Sequence, residues 1–412
     1  MAQPTVTLIP LRSVVASDSA TVLDLLINVE VPPSQLQVER PLLNLGLVID
    51  RSGSMGGDKL TFAKQAASHL VQRLKGSDRI SVTIFDDEVQ VLIPSVLADN
   101  PPGILTAIAS IQAGGSTDLH GGWLRGAEQV QQFLKPQQLN RVILLSDGQA
   151  NVGETNPDTI ASRVHQLLGK GLSTSAMGIG DDYNEELLEA MARSGDGNYY
   201  YIQDPEELPA VFEVELLGMA AMAGQRGSLG IRGLNGVEVL DVLNDFDRTT
   251  AGNYKLPNLI HGGKVAIVAR LKIPAIAEET DLCSIRLAFD APEQQGRQTI
   301  MATLRLTSVT AGKMDDFPCG EEVQRQVALL MAARARKEAM HQLSAGDRLG
   351  AQQTLSNAMC EVSSAPSNPE MLAEMSMLSD LDRELKSGAD ERLRKKAAYQ
   401  SYTRRRGRNS TQ

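Results

Sequence analysis

Between residues 42 and 217, short apolar runs alternate with stretches of helical periodicity, and this alternation constrains the fold more than any other feature of the chain. Leu45–Ile49 and Val142–Leu145 are continuous apolar runs, which are typical of strands that a parallel sheet buries on both faces. Lys59–Leu74 carries apolar residues at helical spacing. Strands and helices in strict alternation predict a doubly wound α/β domain with a mostly parallel, six-stranded sheet over residues 42–222.

Polar residues follow two of the predicted strands, and a further polar loop precedes one of the predicted helices. In open α/β sheets, ligands bind beyond the carboxyl ends of the strands, at a switch in strand order. Here two carboxylates and three hydroxyls are expected to converge on one edge of the sheet. Such an all-oxygen donor set selects the hard cations Mg²⁺, Ca²⁺ or Mn²⁺ over zinc or copper. The candidate metal ligands are Asp50, Ser52, Ser54, Thr117 and Asp147.

The motif D-x-S-x-S, a threonine in a glycine-rich loop and the motif S-D-G follow one another along this α/β pattern. Together they resemble the metal-ion-dependent adhesion site (MIDAS) of the von Willebrand factor A (VWA) domain. The resemblance covers about residues 42–217, and all five motif positions are filled. It implies that the three hydroxyls ligate the ion directly, whereas the two carboxylates contact it directly or through water. It also implies a bacterial type of chain in which the VWA domain is inserted into a β-sandwich.

Only two formal charges would offset a divalent ion at this site, and hydroxyls are weak ligands. The ion would therefore keep one coordination position for the Asp or Glu carboxylate of another protein. VWA domains usually bind proteins through this ion and are not generally enzymes. We expect a non-enzymatic, divalent-cation-dependent protein-interaction module that acts as an adaptor, assembly or regulatory factor. Mg²⁺ is the expected ion, with Ca²⁺ or Mn²⁺ as alternatives, and the loops around Arg51, 115–118 and 148–153 are expected to set specificity.

Other functions are weighed against this one. An accessory subunit of a metal-chelatase or AAA-type ATPase machine is the main alternative, and it would need a motor partner because the chain has no Walker motif of its own. A serine hydrolase is disfavoured because the turn after the first strand lacks the G-x-S-x-G pattern. The same turn lacks the glycine pattern of a dinucleotide site. Metal-assisted phosphoryl hydrolysis would need a phosphate clamp, for which Arg51 is the one candidate in these loops.

Residues 1–40 and 226–312 contain strand-like runs. The first segment cannot fold alone, and the strands of the second would form only a small sheet with an unprotected edge. One β-sandwich built from both segments is the economical solution. Residues 320–402 are helical in composition, and 403–412 are expected to form a disordered basic tail. From Arg392 to Gln412 there are eight basic residues and no acidic ones, so this end of the chain is a candidate for contact with nucleic acid or an anionic surface.

The 412-residue chain is 42% hydrophobic and 22% charged, which excludes disorder of the whole chain. Its net charge of −10 does not favour binding of nucleic acid by the protein as a whole. The three cysteines are sparse, which favours a reducing compartment. The longest apolar stretch, 216–224, is too short to span a membrane, and the first residues lack the cationic region of a signal peptide. We therefore expect a cytoplasmic protein.

Overall fold

The chain divides into two units. One consists of Met1–Gln37 together with Met222–Gln412 and is called the flanking unit below; the other, Val38–Ala221, is called the α/β unit. The α/β unit therefore interrupts the flanking unit in sequence. The computed structural model describes residues 3–33, 41–136, 138–180, 182–291, 296–387 and 390–405.

The flanking unit begins with three strands, in the first of the two segments that contain strand-like runs. The third is buried along all but its ends, which explains why its apolar residues alternate only partly. The second is too short to produce a recognisable pattern. These strands are β1 (Thr5–Pro10), β2 (Val14–Ala16) and β3 (Thr21–Glu30).

In its described residues, the α/β unit has six strands and six α-helices. Proline, asparagine or aspartate stands at the start of several of these helices, as helix N-termini prefer. The elements are β4 (Leu43–Asp50), α1 (Asp58–Arg73), β5 (Arg79–Phe85), β6 (Val89–Leu97), α2 (Pro101–Ala109), α3 (Leu119–Gln131), β7 (Leu139–Ser146), α4 (Pro157–Leu168), β8 (Leu172–Ile179), α5 (Glu185–Ser194), β9 (Asp196–Ile202) and α6 (Leu208–Ala220).

The six strands form one sheet in the order β6-β5-β4-β7-β8-β9. All neighbours are parallel except β5 and β6, so that β6 is an antiparallel edge strand. The predicted α/β fold with a mostly parallel sheet is confirmed. The chain runs from β4 outward in one direction through β5 and then returns to place β7 on the other side. The switch in strand order therefore lies between β4 and β7.

Two glycines let α3 approach the centre of this sheet. A Cβ at Gly126 would lie 2.2 Å from Val48 Cγ2, and one at Gly46 would lie 2.7 Å from Val130 Cγ2. Both distances are far below a carbon–carbon contact distance of about 3.5–4.0 Å. Because the loop that contains Thr117 leads directly into α3, this close packing brings the loop to the carboxyl end of β4.

After α6 the chain returns to strands of the flanking unit. The first strand after α6 begins at Met222, so the predicted boundary at 226 falls inside a strand. The cause is the continuous apolar stretch 216–224, in which periodicity alone cannot separate a helix end from a strand start. The strands are β10 (Met222–Gly233), β11 (Glu238–Val242), β12 (Tyr254–Lys255), β13 (Leu259–Ile260), β14 (Lys264–Ile273), β15 (Thr280–Asp290) and β16 (Arg297–Val309).

These strands join the first three in two sheets. One has the order β1-β3-β14-β11, and the other has the order β12-β10-β15-β16-β2 with β13 paired to β10. All pairings are antiparallel except that of β2 with β16. Buried residues from both sheets, such as Leu25, Ile267 and Ile285, belong to one hydrophobic cluster. The two sequence segments therefore share a core.

The last part of the flanking unit is helical, with α7 (Glu321–Ser344), α8 (Arg348–Ser364), α9 (Pro369–Ser387) and α10 (Asp390–Arg405). Residues 403–405, which the sequence assigns to the basic tail, are the last turn of α10, and 406–412 lie outside the described residues. Lys395 and Arg404 are buried, and Lys396 pairs with Glu384. These basic side chains are therefore engaged within the helices. None of the helices in the described parts of the chain has the length and apolar character of a membrane span.

Candidate metal centre

The carboxyl ends of β4 and β7 lie side by side, at the switch in strand order. The two strands pair in parallel with Ile49 opposite Leu145. β4 ends at Asp50, and β7 ends at Ser146, directly before Asp147. The pairing therefore brings the two predicted carboxylates to the same edge of the sheet, as parallel strands must.

Asp50 is fully buried at this edge. Its Oδ1 accepts a hydrogen bond from the Ser52 backbone N–H at 2.8 Å, and its Oδ2 accepts one from the Ser146 hydroxyl at 2.6 Å. Burial raises the pKa of Asp50 to about 6, the hydrogen bonds oppose this rise, and the charge of Asp147 adds to it. A carboxylate in this position is stabilised by any cation that comes close to it.

The turn after β4 presents two serine hydroxyls. A short 3₁₀ turn, Gly53–Met55, follows Ser52, and the Gly53 N–H donates to the Gly115 carbonyl at 3.0 Å. The Oγ atoms of Ser52 and Ser54 are 3.2 Å apart, and the Ser54 hydroxyl donates to Asp147 Oδ1 at 2.8 Å. Ser52 is buried, whereas Ser54 is exposed. The two hydroxyls and Asp147 thus form one connected group of oxygen atoms.

Thr117 is fixed beside this group by its own backbone. Its N–H donates to Asn151 Oδ1 at 3.0 Å, and its carbonyl accepts from the Asn151 N–H at 3.2 Å. A Cβ added at Gly148 would lie 3.2 Å from Thr117 Oγ1 and 3.8 Å from Asp50 Oδ2. Both oxygens therefore lie close to Gly148, where a side chain would crowd them.

The structure thus places all five predicted ligands at the carboxyl edge of the sheet around β4 and β7, and we call them the strand-end cluster. Their donor atoms are two carboxylates and three hydroxyls, which suit a hard divalent cation. The strand-end cluster consists of Asp50, Ser52, Ser54, Thr117 and Asp147.

Two further residues at this edge are absent from the sequence-based site. The Ser146 hydroxyl donates a hydrogen bond to Asp50 Oδ2. Lys59, in the first turn of α1, donates from Nζ to Asp147 Oδ2 at 2.5 Å. The signal for Lys59 is its position, because a cation in the first turn of a helix opposes the helix dipole and needs a partner. The signal for Ser146 is its place in the S-D-G motif, where it precedes the predicted ligand Asp147.

Arg51 also borders the strand-end cluster. Its Nη2 donates to Asp86 Oδ1 at 3.2 Å, and the two side chains form an ion pair. Asp86 is buried, and its Oδ1 also accepts from the Glu88 N–H at 2.9 Å. The guanidinium is therefore held by a buried carboxylate, and the Arg51 side chain is 22% exposed.

The fold and the order of these residues define a class of domain. Residues 44–214 match the sequence profile of the von Willebrand factor type A domain, so the α/β unit is a VWA domain. The chain is 32% identical over 183 residues to the uncharacterized protein YfbK of Escherichia coli, a match that covers 44% of this chain and 32% of that protein. The matches span between 17% and 39% of the length of these curated relatives.

Two solved structures share the fold over nearly the whole chain. A von Willebrand factor type A protein from Catenulispora acidiphila has a TM-score of 0.69 at 17% identity, covering 93% of this chain and 90% of that one. The ArnB paralog VWA2 from Sulfolobus acidocaldarius has a TM-score of 0.65 at 20% identity, covering 97% and 98%. The similarity in fold therefore extends beyond the VWA domain into the flanking segments.

Proposed function

We propose that this protein binds a partner protein through a divalent cation held by the strand-end cluster, and that it is not an enzyme. VWA domains are in general metal-dependent protein-interaction modules. The observation that carries the proposal is the connected oxygen group of Ser52, Ser54 and Asp147, which lies at the strand-order switch.

The proposed ligands are those that the sequence predicts. The three hydroxyls ligate directly, and Asp50 and Asp147 contact the ion directly or through water. Mg²⁺ is the proposed ion, with Ca²⁺ and Mn²⁺ as alternatives, because every donor is a hard oxygen. When bound, the cation supplies a Lewis acid that attracts a carboxylate.

The proposed partner presents an Asp or Glu side chain. A site with two carboxylates and neutral hydroxyls leaves part of the charge of a divalent ion uncompensated, which favours an external carboxylate as a further ligand. Arg51, whose side chain is 22% exposed, is proposed to donate a further hydrogen bond to this carboxylate. Arg51 and the loops 115–118 and 148–153 would then select among acidic partners.

The rest of the proposal concerns the whole chain. We propose that residues 1–40 and 226–312 form a β-sandwich into which the VWA domain, 42–222, is inserted, with 320–402 as a helical region. The hydrophobic cluster shared by the two sheets of the flanking unit supports this. A cytoplasmic location and a bacterial type of chain belong to the same proposal, and the three free cysteines agree with a reducing compartment.

A pull-down from native lysate tests the function. The full chain is used as bait in Mg²⁺ and then in chelator, beside the variants Ser54→Ala and Ser77→Ala. Ser77 is the matched control, because it is an exposed serine just before β5, at the amino edge of the sheet and outside the loops proposed to contact the partner. Partners lost in chelator and with Ser54→Ala, but kept with Ser77→Ala, support the proposal. A partner list that chelation leaves unchanged contradicts it, and an AAA-type ATPase among the partners favours the alternative of an ATPase accessory subunit.

A further inference from the structure

Lys59 places a fixed positive charge against the strand-end cluster. Its Nζ donates to Asp147 Oδ2 at 2.5 Å, while Asp147 Oδ1 accepts from the Ser54 hydroxyl at 2.8 Å. Both oxygens of this carboxylate are therefore engaged by residues that follow β4. Asp147 is fully buried, and the Lys59 side chain is 23% exposed. The pair is thus largely shielded from solvent. An ionic interaction is stronger in such a shielded position than at an open surface.

Asp50, the other carboxylate of the cluster, has different partners. Its oxygens accept from the Ser52 backbone N–H and the Ser146 hydroxyl, which carry no formal charge. One carboxylate of the cluster is therefore paired with an internal cation, and the other is held by neutral donors. This asymmetry gives the two carboxylates different parts in binding an ion.

The position of Lys59 is unfavourable for α1 itself. Lys59 is the second residue of a helix that begins at Asp58, and the N-terminus of a helix repels cations. A Cβ at Gly180, just after β8, would lie 3.4 Å from Lys59 Cε, so the absence of a side chain there leaves room for the lysine. A residue that opposes a local preference in this way is expected at a functional site, where another interaction offsets the cost.

We propose, on the basis of the function proposed above, that Lys59 is a positioning residue that sets the metal affinity of the site. Its ammonium group competes with the divalent cation for Asp147. The pair keeps the metal-free site assembled and leaves one carboxylate charge of the cluster, that of Asp50, without an internal cation. The site then binds an ion weakly by itself.

The second consequence concerns the partner. Because Lys59 offsets part of the negative charge of the cluster, a bound divalent ion keeps more of its own charge and attracts an external carboxylate more strongly. Metal and carboxylate therefore bind with positive coupling, and each raises the affinity of the site for the other. Without the charge of Lys59, the metal would bind more tightly and the coupling would be smaller.

Titration calorimetry with Mn²⁺ and Mg²⁺ on the chelator-treated full chain tests this inference. Lys59→Met removes the positive charge, and Lys59→Gln removes it but keeps a hydrogen-bond donor. Lys59→Arg keeps the positive charge. Lys64→Met is the matched control, because Lys64 also lies on α1 but donates to the backbone carbonyl of Ile111 at 2.6 Å. Each titration is repeated in excess acetate, which serves as a carboxylate probe, and thermal unfolding confirms that each variant is folded.

We expect Lys59→Met and Lys59→Gln to bind Mn²⁺ about tenfold more tightly than the unaltered chain, and Lys59→Arg and Lys64→Met to bind as it does. Acetate should raise the Mn²⁺ affinity of the unaltered chain more than that of Lys59→Gln. If the unaltered chain binds metal and the charge-removing variants bind equally or less tightly, the inference is overturned and the proposed function stands. If neither the unaltered chain nor these variants take up metal, the proposed function fails and the inference fails with it.

Discussion

The strand β7 has a buried charged group near each end, and the two ends differ in how that charge is compensated. Near its start, Arg141 donates to the fully buried Glu215 of α6 at 2.7 Å. Three further donors, from Ser175, Asn198 and Tyr200, lie within 2.6–2.8 Å of the same carboxylate. Burial alone would raise the pKa of Glu215, but Arg141 and these hydrogen bonds outweigh it and lower the pKa.

The other end of β7 has weaker internal compensation. There the pKa of Asp50 is raised, to about 6, mainly by burial. Lys59 pairs with Asp147, while the donors to Asp50 are neutral. A buried carboxylate with an internal cation and a full set of donors holds the fold together, whereas one that lacks a cation is suited to receive one from solution. The comparison thus separates a structural end of the sheet from a ligand-binding end.

The largest effect is expected at the structural end. Arg141→Met leaves Glu215 buried without its cation, and breaking such a pair costs about 3–5 kcal/mol of stability. Arg125→Met is the control, because Arg125 forms an exposed pair with Glu128 that is worth about 0–1 kcal/mol. Chemical denaturation of both variants measures the difference. Equal losses of stability in the two variants would contradict the structural role of Arg141.

The next effect is expected at the ligand-binding end. Asp50→Asn should weaken Mg²⁺ or Mn²⁺ binding at least about 100-fold, since even residues behind a metal ligand are worth 10–100-fold. The stability of the metal-free variant should be equal to or higher than that of the unaltered chain, because a buried charge is removed. Asp58→Asn, at an exposed position of α1, is the control. A strong loss of metal-free stability in Asp50→Asn would make Asp50 a second structural carboxylate.

A smaller effect is expected for the Thr117 hydroxyl. Thr117→Val keeps the shape of the side chain and removes one oxygen, and it should lower metal affinity about tenfold, at the low end of what a metal-site partner contributes. Thr117→Ser keeps the oxygen and should bind metal nearly as well as the unaltered chain. Calorimetry of both variants decides whether the hydroxyl or the methyl group of Thr117 contributes to metal affinity. Equal metal binding by Thr117→Val and the unaltered chain would exclude the hydroxyl as a ligand.

The smallest effect is a difference in pH dependence. The pKa of Glu215 is lowered from its ordinary value of 4.5, so the unfolded chain takes up a proton at this group before the folded one does. Its contribution to stability is present above pH 4.5 and is lost as the pH falls through the lowered pKa. The loss is at most about 1.4 kcal/mol per pH unit. As the pH is lowered from 5, Glu215→Gln should therefore lose less stability than the unaltered chain. Parallel plots of the free energy of unfolding against pH for the two proteins would contradict this.

The sequence predicts the ligand-binding end of the sheet better than the structural end. Asp50 and Asp147 follow apolar runs that are recognisable as strands, and parallel strands bring such residues together without further information. The pair of Lys59 and Asp147 depends on where α1 packs, which no local pattern specifies. Glu215 lies in a nearly continuous apolar helix, and its partner Arg141 lies in a buried strand, so their contact follows from tertiary packing alone.

The same distinction explains the differences in the flanking unit. Long strands such as β14 and β15 have apolar patterns that are recognisable in the sequence. The strands β2, β12 and β13 are two or three residues long and are defined by the neighbours with which they pair. The last turn of α10 is stabilised by the pair of Arg404 with Glu370, a contact between helices that a count of basic residues does not predict.

Metal uptake by the strand-end cluster is the claim on which the function rests, and calorimetry on chelator-treated full-length chain measures it directly. Mg²⁺ and Mn²⁺ are titrated into the unaltered chain and into Asp50→Asn under the same conditions. Saturable binding of one ion per chain that Asp50→Asn abolishes is the predicted result. No uptake by the unaltered chain, or equal uptake by both proteins, would contradict the assignment of the carboxyl edge of β4 and β7 as a metal site.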